Sequence, residues 1–326
     1  MELDLPKVKD PGLLVGTWPP RRCGIASYNA QLAAEEGWTA FDAAPETPVA
    51  FRLLSFLRAV RGKSVVRISF DPYALACGSI QALWLYPILL IIGARKFEIV
   101  VHEPWKSRAY RSWIANWMYV RFCRNAQWLL LAPSQGTSLM EAFGPGLRTR
   151  NIPHGAHFRP SFEGSREDAR KDLGLDGGRV WLCIGFISAA KGFSRFVTEF
   201  VRLGGEGMVW VVGSVRTAIT SDEQEARILR ELSQEHPAAV SFHEEFVDDE
   251  QFDRWIQASD VVVLPYLETS TSGVVERARL YGKVVLARDL PGLRDVLVDD
   301  PRSVLYMDDT FAQGLGKAGA LLESAR

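Results

Sequence analysis

The chain has 326 residues, of which 47% are hydrophobic and 24% charged, and its formal net charge is −1. This length predicts about two domains, each able to bury its own core, and the composition is ordinary for a soluble globular protein. The most apolar run, Ala82–Ile92, is too short for a bilayer span and contains Pro87, which favours a buried core helix over a membrane segment.

Charge is distributed unevenly along the sequence. Residues 1–160 hold 19 Lys and Arg against 11 Asp and Glu, whereas the remaining residues hold 19 against 28. A basic half and an acidic half predict two domains with different roles, of which the basic one binds an anionic partner.

The four cysteines are far apart and form no C-x-x-C motif, which predicts reduced thiols. The amino terminus is polar, so we predict no signal peptide and a cytoplasmic location.

The first predicted strand, Leu13–Thr17, leads into a loop that contains two prolines and Gly24, and then into a helix over Ile25–Glu36. A strand, a glycine loop and a helix can cradle a phosphate on backbone N–H groups. Arg21 and the neighbouring Arg22 favour an anion at this loop, although spacing alone favours a plain tight turn.

Two helical patterns follow, over Phe51–Arg61 and over Tyr73–Gly93, and the second is either one long apolar helix or a proline-kinked pair. Ser64–Phe70 predicts a strand between them. The β-branched run Phe97–His102 predicts a buried parallel strand. His102 then lies at the carboxyl end of that strand, where ligands bind in this class of fold. A histidine that only makes structural hydrogen bonds is the competing interpretation.

The segment Trp105–Trp128 combines tryptophans with basic residues, and no Asp or Glu occurs between Pro104 and Met140. Helical spacing places several of these side chains on one face. Such a face suits an anionic membrane surface or a phosphorylated acceptor. The competing interpretation is an amphipathic helix that packs its tryptophans and solvates its arginines. No recognised nucleic-acid motif is present, so no nucleic-acid partner is expected.

The first half ends with a strand, a helix and a strand, at Gln127–Pro133, Ser134–Phe143 and Thr149–Pro153. His154 and His157 follow, but the sequence around them offers no carboxylate or cysteine partner, so we predict no metal site there. The stretch Arg159–Ser165 has the composition of an interdomain linker.

The second half repeats the alternation of strands and helices. Strands are predicted over Val180–Gly185, Met208–Gly213, Ala239–Phe242, Val261–Leu264, Val284–Ala287 and Ser303–Tyr306. Helices are predicted up to Leu203, over Asp222–Gln234, Asp249–Gln257 and Phe311–Ser324, and briefly after Pro291. Such alternation predicts an α/β fold of parallel, doubly wound sheets. Two Rossmann-like units on either side of the linker would face a central cleft with their carboxyl edges.

The stretch Val261–Lys283 has the pattern of a strand, a polar loop and a helix, which is where ligands bind in open α/β sheets. The helix, starting near Gly273, would offer unpaired N–H groups and the positive end of a dipole. Glu268 and Glu276 bracket this start and suit the hydroxyls of a sugar or ribose. A plain helix cap, with Ser272 as N-cap and Glu276 in the first turn, explains the same pattern without a ligand.

Six motifs in this order, PPRRCGIASY, VVHEP, LAPSQ, IPHG, CIGFISAAKGF and VVVLPYLETSTSGVVERARLYGK, resemble those of retaining glycosyltransferases of family 4, which have the GT-B fold. The resemblance covers nearly the whole chain. It implies transfer of a sugar from a nucleotide diphosphate sugar to an acceptor, with retention of anomeric configuration and without a metal or other cofactor. It also implies an acceptor-side domain over residues 1–158 and a donor domain over 159–326, with the terminal helix as a candidate to cross back.

The resemblance implies roles for individual residues. Lys191 matches the lysine that neutralises the donor diphosphate, Glu268 the glutamate on donor-sugar hydroxyls, and Glu276 the glutamate on the ribose. His102 matches the histidine near the donor sugar, and Gly24 the glycine loop that faces the phosphates. The remaining implied donor contacts are the helix start Ser272, Gly273 and Val274 and, as a looser match at the nucleobase, Phe246 and Val247.

Leaving-group chemistry explains why these residue types are needed. Breaking the bond at the anomeric carbon leaves charge on the diphosphate, and without a metal a lysine and helix dipoles must stabilise it. The two glutamates look like hydroxyl binders, unlike the paired carboxylates of glycosidases. We therefore expect front-face substitution on one side of the sugar.

The sequence departs from the family just before Lys191, where an arginine is usual and this chain has Phe186 and Ser188. Arg21 and Arg216 are candidate replacement cations. The departure leaves two alternatives open: a non-catalytic partner subunit that binds a sugar nucleotide, and a sugar-nucleotide epimerase of the same fold. The implied acceptor is a glycan, a lipid-linked molecule or a small molecule. Peripheral contact with the inner face of an anionic membrane, through the tryptophan-rich segment, is a separate hypothesis.

Overall fold

The computed structural model describes residues 12–21, 24–42, 49–70, 96–102, 123–175, 177–215, 220–269 and 271–324. The chain divides into two compact units, Met1–His157 and Phe158–Arg326. The predicted helical segment Tyr73–Gly93, most of Trp105–Trp128 and Arg216 lie outside the described residues. Within the described ranges, none of the helices combines the length and the apolarity that a membrane crossing needs.

The first unit is built on a parallel sheet with the strand order β2-β1-β3-β4-β5-β6. Its strands are β1 Leu13–Gly16, β2 Thr39–Asp42, β3 Val65–Phe70, β4 Lys96–Val101, β5 Gln127–Leu130 and β6 Arg148–Asn151. The helices described in this unit are α1 Gly24–Glu36, α2 Val49–Val60 and α3 Gln135–Phe143, followed by a 3-10 turn at His154–His157. The chain runs from β1 outward to β2 and then returns to β3 on the other side of β1, so the sheet is doubly wound.

The second unit has a parallel sheet with the order β12-β11-β10-β7-β8-β9. Its strands are β7 Val180–Ile184, β8 Met208–Gly213, β9 Val240–Glu244, β10 Val261–Leu264, β11 Val284–Arg288 and β12 Ser303–Tyr306. Its helices are α4 Arg166–Leu173, α5 Phe193–Arg202, α6 Thr220–Glu235, α7 Asp249–Ala258, α8 Gly273–Leu280, α9 Pro291–Leu297 and α10 Phe311–Ser324. This is the strand order of a dinucleotide-binding Rossmann sheet.

The core of the second unit follows from the apolar runs of its central strands. Every residue of β7 and β10 is buried, as expected for parallel strands covered on both faces. Helix α5 adds three buried phenylalanines, Phe193, Phe196 and Phe200, at helical spacing. Burying a side chain of this size stabilises the fold by roughly 1.5–3 kcal/mol. The central strands and the helix that follows β7 are therefore held firmly, which fixes the loops at their ends.

The predicted fold class, α/β with two doubly wound parallel sheets, is confirmed. Two elements were missed because their sequences are short and polar. β2 has the sequence TAFD and buries only Phe41, and α4 has the charged sequence REDARKDL. α4 forms because Ser165 and Asp168 make a capping box at its start. Phe158 lies in the second unit, and the predicted linker is anchored there, since the Ser161 N–H donates to Asp253 Oδ2 at 2.8 Å.

Trp128 corrects one end of the proposed membrane-binding segment. Its side chain is fully buried within β5, and its indole N–H donates to the Cys123 carbonyl oxygen at 3.1 Å. Trp128 is therefore a core residue of the first unit. The packing interpretation holds for this tryptophan, whereas Arg124 beside it is exposed.

Candidate functional site

The second sheet changes direction between β7 and β10, which are neighbours in the sheet although two strands separate them in sequence. β7 pairs with β8 on one side and with β10 on the other, all in parallel. In open α/β sheets the crevice at the carboxyl ends of two such strands is where ligands bind. The loops that follow β7 and β10 carry Lys191 and Glu268, so the topology brings two of the predicted site residues to this point.

These two loops are joined through their backbones. The Leu267 N–H donates to the Ala190 carbonyl oxygen at 2.8 Å. Gly192 adopts the left-handed conformation with φ of 62°, and a Cβ added there would lie 2.6 Å from the Pro265 carbonyl oxygen. Only glycine permits both the positive φ and this close approach. The loop with Lys191 and the loop with Glu268 therefore hold each other in place.

Lys191 is positioned by an aromatic ring from the neighbouring loop. Its Nζ lies 3.6 Å from the centroid of the Tyr266 ring, and Tyr266 is only 1% exposed. A cation over a ring face is attracted by about 0.5–2 kcal/mol, depending on how far it is desolvated. The ring restricts the lysine without neutralising its charge, which leaves a positive centre at the switch point.

Two buried carboxylates of α6 hold the Lys191 loop from below. The Ala189 N–H donates to Asp222 Oδ1 at 3.3 Å, and both the N–H and the hydroxyl of Ser194 donate to Glu225 at 2.8 Å. Glu225 thus acts as an external cap for the first turn of α5. The positive end of α5 is already occupied by a protein carboxylate, so α8 is the helix of this crevice that can take an anion.

The start of α8 has an unsatisfied polar group. Ser272 occupies the N-cap position, but its side chain makes no capping hydrogen bond. Its Oγ is buried and, among the described residues, has no hydrogen-bond partner. Buried polar groups are nearly always paired, because an unpaired one costs roughly 1–3 kcal/mol. The plain helix cap proposed for Ser272 is therefore not what the structure has, and the hydroxyl stays unpaired among the described residues.

Gly273 and Val274, the next two residues of α8, are half-buried. A Cβ on Gly273 would lie 3.3 Å from the Phe158 ring, which is tight, so a small residue suits the helix start. The backbone of this first turn can then approach a ligand closely.

The two predicted glutamates have different environments. Glu268 lies on the exposed loop, whereas the side chain of Glu276 is only 10% exposed. Burial raises the pKa of the Glu276 carboxyl; Arg279, whose Nη1 lies 3.7 Å away, opposes the rise and Asp300 adds to it. A carboxylate that is buried but only loosely paired keeps its capacity to accept hydrogen bonds from hydroxyls.

A buried ion pair fixes α8 from behind. Arg277 donates to Asp253 Oδ1 at 2.6 Å, and Asp253 is fully buried on α7. The Tyr281 hydroxyl donates to the Phe162 carbonyl oxygen at 2.8 Å and also contacts Asp253 at 3.1 Å. This network ties α7, α8 and the start of the second unit together, so the amino terminus of α8 is presented on a rigid support.

Phe246 and Val247 follow β9 at the same carboxyl edge, two strands away from β7. Phe246 is 38% exposed and Val247 is buried. The next residue, Asp248, forms a capping box with Gln251 and starts α7. An exposed aromatic ring on a defined turn can stack on a planar ligand.

In the first unit, His102 is buried at the carboxyl end of β4, and its Nε2 lies 2.7 Å from the Ser69 Oγ at the end of β3. The Tyr28 ring contacts His102 with a centroid distance of 4.9 Å and His154 with 5.6 Å. Burial lowers the pKa of His102 to about 3, with a further contribution from His154, and burial lowers the pKa of His154 to about 4. Both histidines are neutral at pH 7.

The other predicted residues of the first unit lie in the β1–α1 loop. Gly24 begins α1, and a Cβ added there would meet nothing within 4 Å. The glycine is thus not needed for packing inside the unit, and its surroundings are open. Arg21 Nη1 lies 3.4 Å from Asp42 Oδ1, a pair with both partners partly exposed.

Sequence reasoning missed the residues that position the site. Tyr266 contacts Lys191 and Ser69 contacts His102, and nothing in their spacing indicates it. Asp222 and Glu225 bind Ala189 and Ser194, on either side of Lys191. Both carboxylates sit in the predicted helix as ordinary polar residues, and only their burial, 5% and 7% exposed, sets them apart. Within the described part of the chain, no group of three or more His, Cys, Asp or Glu is arranged to hold a metal ion.

Comparison with solved structures decides the fold. Sucrose-phosphate synthase from Thermosynechococcus elongatus matches 96% of this chain and 94% of its own, with a TM-score of 0.65 and 16% identity. HepE from Anabaena in complex with UDP-glucose matches 96% of this chain and 90% of its own, with a TM-score of 0.71 and 14% identity. The chain has the GT-B fold.

Two further comparisons bear on the second unit and on the whole chain. Residues 178–320 match the family model described as "Glycosyl transferases group 1", and these residues contain Lys191, Glu268, α8 and the β9–α7 turn. A UDP-forming α,α-trehalose-phosphate synthase from Burkholderia xenovorans matches 96% of this chain and 91% of its own, with a TM-score of 0.65 and 9% identity. Comparison with curated protein sequences gives no significant match.

Proposed function

We propose that the protein is a glycosyltransferase that moves a hexose from a nucleotide diphosphate sugar to an acceptor with retention of anomeric configuration. The proposal rests on the residues at the switch point of the second sheet, between β7 and β10. There the loop that carries Lys191, held over a tyrosine ring, is hydrogen-bonded to the loop that leads into α8. The start of α8 has a buried serine hydroxyl without a partner among the described residues. A cation and a helix amino terminus together suit a diphosphate.

In this proposal the second unit binds the donor and the first unit faces the acceptor. Lys191 and the N–H groups of the α8 start neutralise the diphosphate, and Ser272 donates its hydroxyl to a phosphate or sugar oxygen. Glu268 accepts from the sugar hydroxyls and Glu276 from the ribose. Phe246 and Val247 contact the base. The match of residues 178–320 to a glycosyltransferase family model supports this assignment.

The reaction breaks the bond between the anomeric carbon and the diphosphate oxygen, and the electron pair leaves with the diphosphate. The acceptor oxygen forms its bond on the same face of the sugar, and its proton passes to the departing phosphate oxygen. Stabilising the leaving charge is the main demand, because a fixed cation or donor at a developing charge accelerates such steps by about 10²–10³-fold. His102, which is neutral, and Gly24 are the candidate residues of the first unit.

UDP-glucose is the first donor to test, because HepE, a protein of similar fold, was crystallised with it. A turnover assay across UDP-, GDP- and ADP-sugars should find one donor that is hydrolysed or transferred. Lys191→Ala should lower its turnover by about 10²-fold or more, and Glu268→Gln should also impair it. Lys317→Ala and Glu231→Gln, exposed residues of the same unit, are matched controls that should behave as wild type. Equal activity of all four variants would rule out the proposed site.

One observation favours a second candidate, a partner subunit that binds a sugar nucleotide without turning it over. The positions before Lys191 that hold an arginine in the resembling family are Phe186 and Ser188, and Arg21 is paired with Asp42. This candidate predicts donor binding that depends on Lys191, with no product from any donor or acceptor. The same donor panel, read by binding and by turnover, separates the two. Activity that survives a metal chelator is expected for the enzyme.

Membrane attachment is a separate proposal that concerns residues 105–127 and the basic charge of the first half. The protein would be cytoplasmic and would bind anionic lipid at the membrane surface when its acceptor is lipid-linked. Co-sedimentation with liposomes tests this. Binding should require anionic lipid and weaken as salt rises, and equal recovery with neutral and anionic liposomes would contradict it.

A further inference from the structure

A cavity lies in the second unit, at the carboxyl ends of β10, β11 and β12. Its volume is about 140 Å³, and Pro265, Arg288 and Tyr306 from the ends of these strands line it. Helix α5 contributes Arg195 and Phe196 to its wall. Within the described residues, its lining includes none of the side chains assigned to the donor.

Two arginines in this cavity share a single carboxylate oxygen. Arg195 Nη2 lies 2.8 Å and Arg288 Nη2 lies 3.0 Å from Oδ2 of Asp308. Glu199 also lines the cavity, but its carboxylate accepts from Arg202 at 2.7 Å. Each guanidinium has five N–H donors, of which this contact uses one, so both arginines keep donors for a further anion.

The floor of the cavity is aromatic. The rings of Tyr306 and Phe311 meet edge to face with a centroid distance of 5.2 Å, and Phe196 and Phe311 do so at 5.6 Å. All three side chains are at most 8% exposed. An apolar floor lowers the local dielectric, so an anion that reaches the two arginines interacts with them more strongly than at an open surface.

Asp308 is the internal anion that pairs with both arginines. Burial opposes its ionisation, but Arg195 and Arg288 outweigh this and hold the pKa of Asp308 below its ordinary value. Its side chain is 46% exposed and lies on the short 3-10 turn Asp308–Thr310, so it can yield to a stronger anion.

We infer that this cavity is a binding site for a small phosphate-bearing anion, held by Arg195 and Arg288. The planar guanidinium presents paired N–H groups that match phosphate oxygens, and two of them converging on one point suit a dianion better than a single carboxylate. The cavity is too small for a sugar nucleotide, since ligand pockets for larger molecules have roughly 300–1,000 Å³. Inorganic phosphate and the phosphate group of a small monoester are the two sources.

The position of the cavity connects it to the donor loops. Pro265 lines the cavity and leads directly into Tyr266 and Glu268, and Arg195 lies four residues after Lys191, in the first turn of α5. A phosphate in this cavity would contact the β10–α8 loop and α5, the two elements next to the donor residues, from the side of β11 and β12. The site is therefore placed to act as an effector site.

Binding of inorganic phosphate and of glucose 6-phosphate to the full chain, measured by calorimetry at constant ionic strength, tests the inference. The measurement uses Lys191→Ala as the parent, which removes the donor diphosphate cation. Arg195→Gln and Arg288→Gln should each weaken phosphate binding at least about tenfold. Arg230→Gln, on α6 and paired with Glu244 at 2.6 Å, replaces an arginine that does not line the cavity; it is the matched control and should bind as the parent does. Asp308→Asn should bind phosphate more tightly, because it removes the competing charge.

The two ligands separate the two sources. Tighter binding of glucose 6-phosphate than of inorganic phosphate identifies a monoester site, and the reverse identifies a free-phosphate site. Loss of all phosphate binding in the Lys191→Ala parent, or equal affinity of the parent, Arg195→Gln and Arg288→Gln, would overturn the inference. Arg195 is half exposed, so its substitution leaves the fold intact and the test interpretable even where Arg288→Gln is unstable.

Discussion

The carboxyl edges of the two sheets are built from the same architecture but have opposite chemical characters. In the first unit, His102 and His154 are buried and neutral against the Tyr28 ring. In the second unit, Lys191 is only partly buried, and Ser272 has a buried hydroxyl without a partner in the described residues. The comparison shows that topology supplies the place for a ligand, whereas the loop side chains decide its charge.

The difference extends to the supports behind each edge. The carboxyl edge of the first sheet is held by uncharged contacts, such as the 2.7 Å hydrogen bond between the Ser69 Oγ and the His102 Nε2. The second edge is held by charge, through the Arg277–Asp253 pair behind α8 and through Glu225 below the Lys191 loop. Each support can be removed separately, and the effects should differ in size and in pH dependence.

The largest effect of a single substitution is expected from the charged support of the second edge. Asp253→Ala leaves Arg277 buried without its main partner, and breaking a buried pair in this way costs about 3–5 kcal/mol. Chemical denaturation of the second unit should show this loss. Glu250→Ala removes a carboxylate that is 59% exposed and pairs with Arg254, and it should cost under about 1 kcal/mol. Similar losses for the two variants would mean that the buried pair does not support α8.

Lowering the pH should destabilise the first unit through the histidines at the carboxyl edge of its sheet. The pKa of His102 falls from 6.5 to about 3 on folding, and that of His154 falls from 6.5 to about 4. Below pH 6.5 the unfolded chain therefore binds protons that the folded unit does not. As the pH is lowered, the free energy of unfolding should decrease by about 1.4 kcal/mol for each pH unit and each histidine. For each histidine the decrease should end at its pKa in the folded state.

Denaturation of the first unit between pH 7 and pH 4 measures this slope. His154→Gln should reduce it by about half. His236→Gln, a substitution in the second unit, serves as the control and should leave the slope of the first unit unchanged. A slope that His154→Gln does not alter would show that the buried imidazole is not what makes the unit sensitive to acid.

The support below the Lys191 loop should give a local effect. Glu225→Ala removes the acceptor of the Ser194 N–H, and the loss of a charge-assisted hydrogen bond at a helix start costs about 1–3 kcal/mol. Hydrogen exchange of the Ser194 amide should become faster by the corresponding factor. Glu231→Ala, an exposed position on the same helix, should leave that exchange unchanged. Unchanged exchange in Glu225→Ala would show that the loop is held without this carboxylate.

The smallest expected effect concerns Glu276. Its raised pKa means that the carboxylate proposed to accept from a ribose is lost at a higher pH than for an ordinary glutamate. Nucleotide affinity should therefore weaken several-fold as the pH falls towards and through this raised pKa. Glu276→Gln should start weaker and vary less with pH in a calorimetric titration. Identical pH profiles for the two proteins would remove Glu276 from the ribose contact.

The sequence predicts most of the described strands and helices correctly because apolar runs and helical spacing are local signals. It places β10, the start of α8 near Gly273 and Lys191 before α5 where the structure has them. β2 was missed because TAFD has no apolar alternation and buries a single side chain, Phe41. The charged α4 was missed because its stability comes from its cap and from Arg170, which reaches Asp260 at 2.7 Å.

The contacts that prepare the candidate site could not be predicted, because they join residues far apart in the chain. Tyr266 lies under Lys191, 75 positions away in the numbering. Glu225 caps a helix that begins at Phe193. Ser272 has the residue type of an N-cap, and only the structure shows that its hydroxyl does not cap. Side-chain orientation, set by packing, decides each of these.

The central claim is that Lys191 and the start of α8 form a diphosphate site. The most direct measurement compares the affinities of UDP and uridine, or the matching pair for the base that the donor panel selects, in wild type and in Lys191→Ala. Wild type should prefer the diphosphate, and Lys191→Ala should lose most of this preference while its affinity for the nucleoside stays the same. An undiminished preference for the diphosphate in Lys191→Ala would show that Lys191 does not bind the diphosphate.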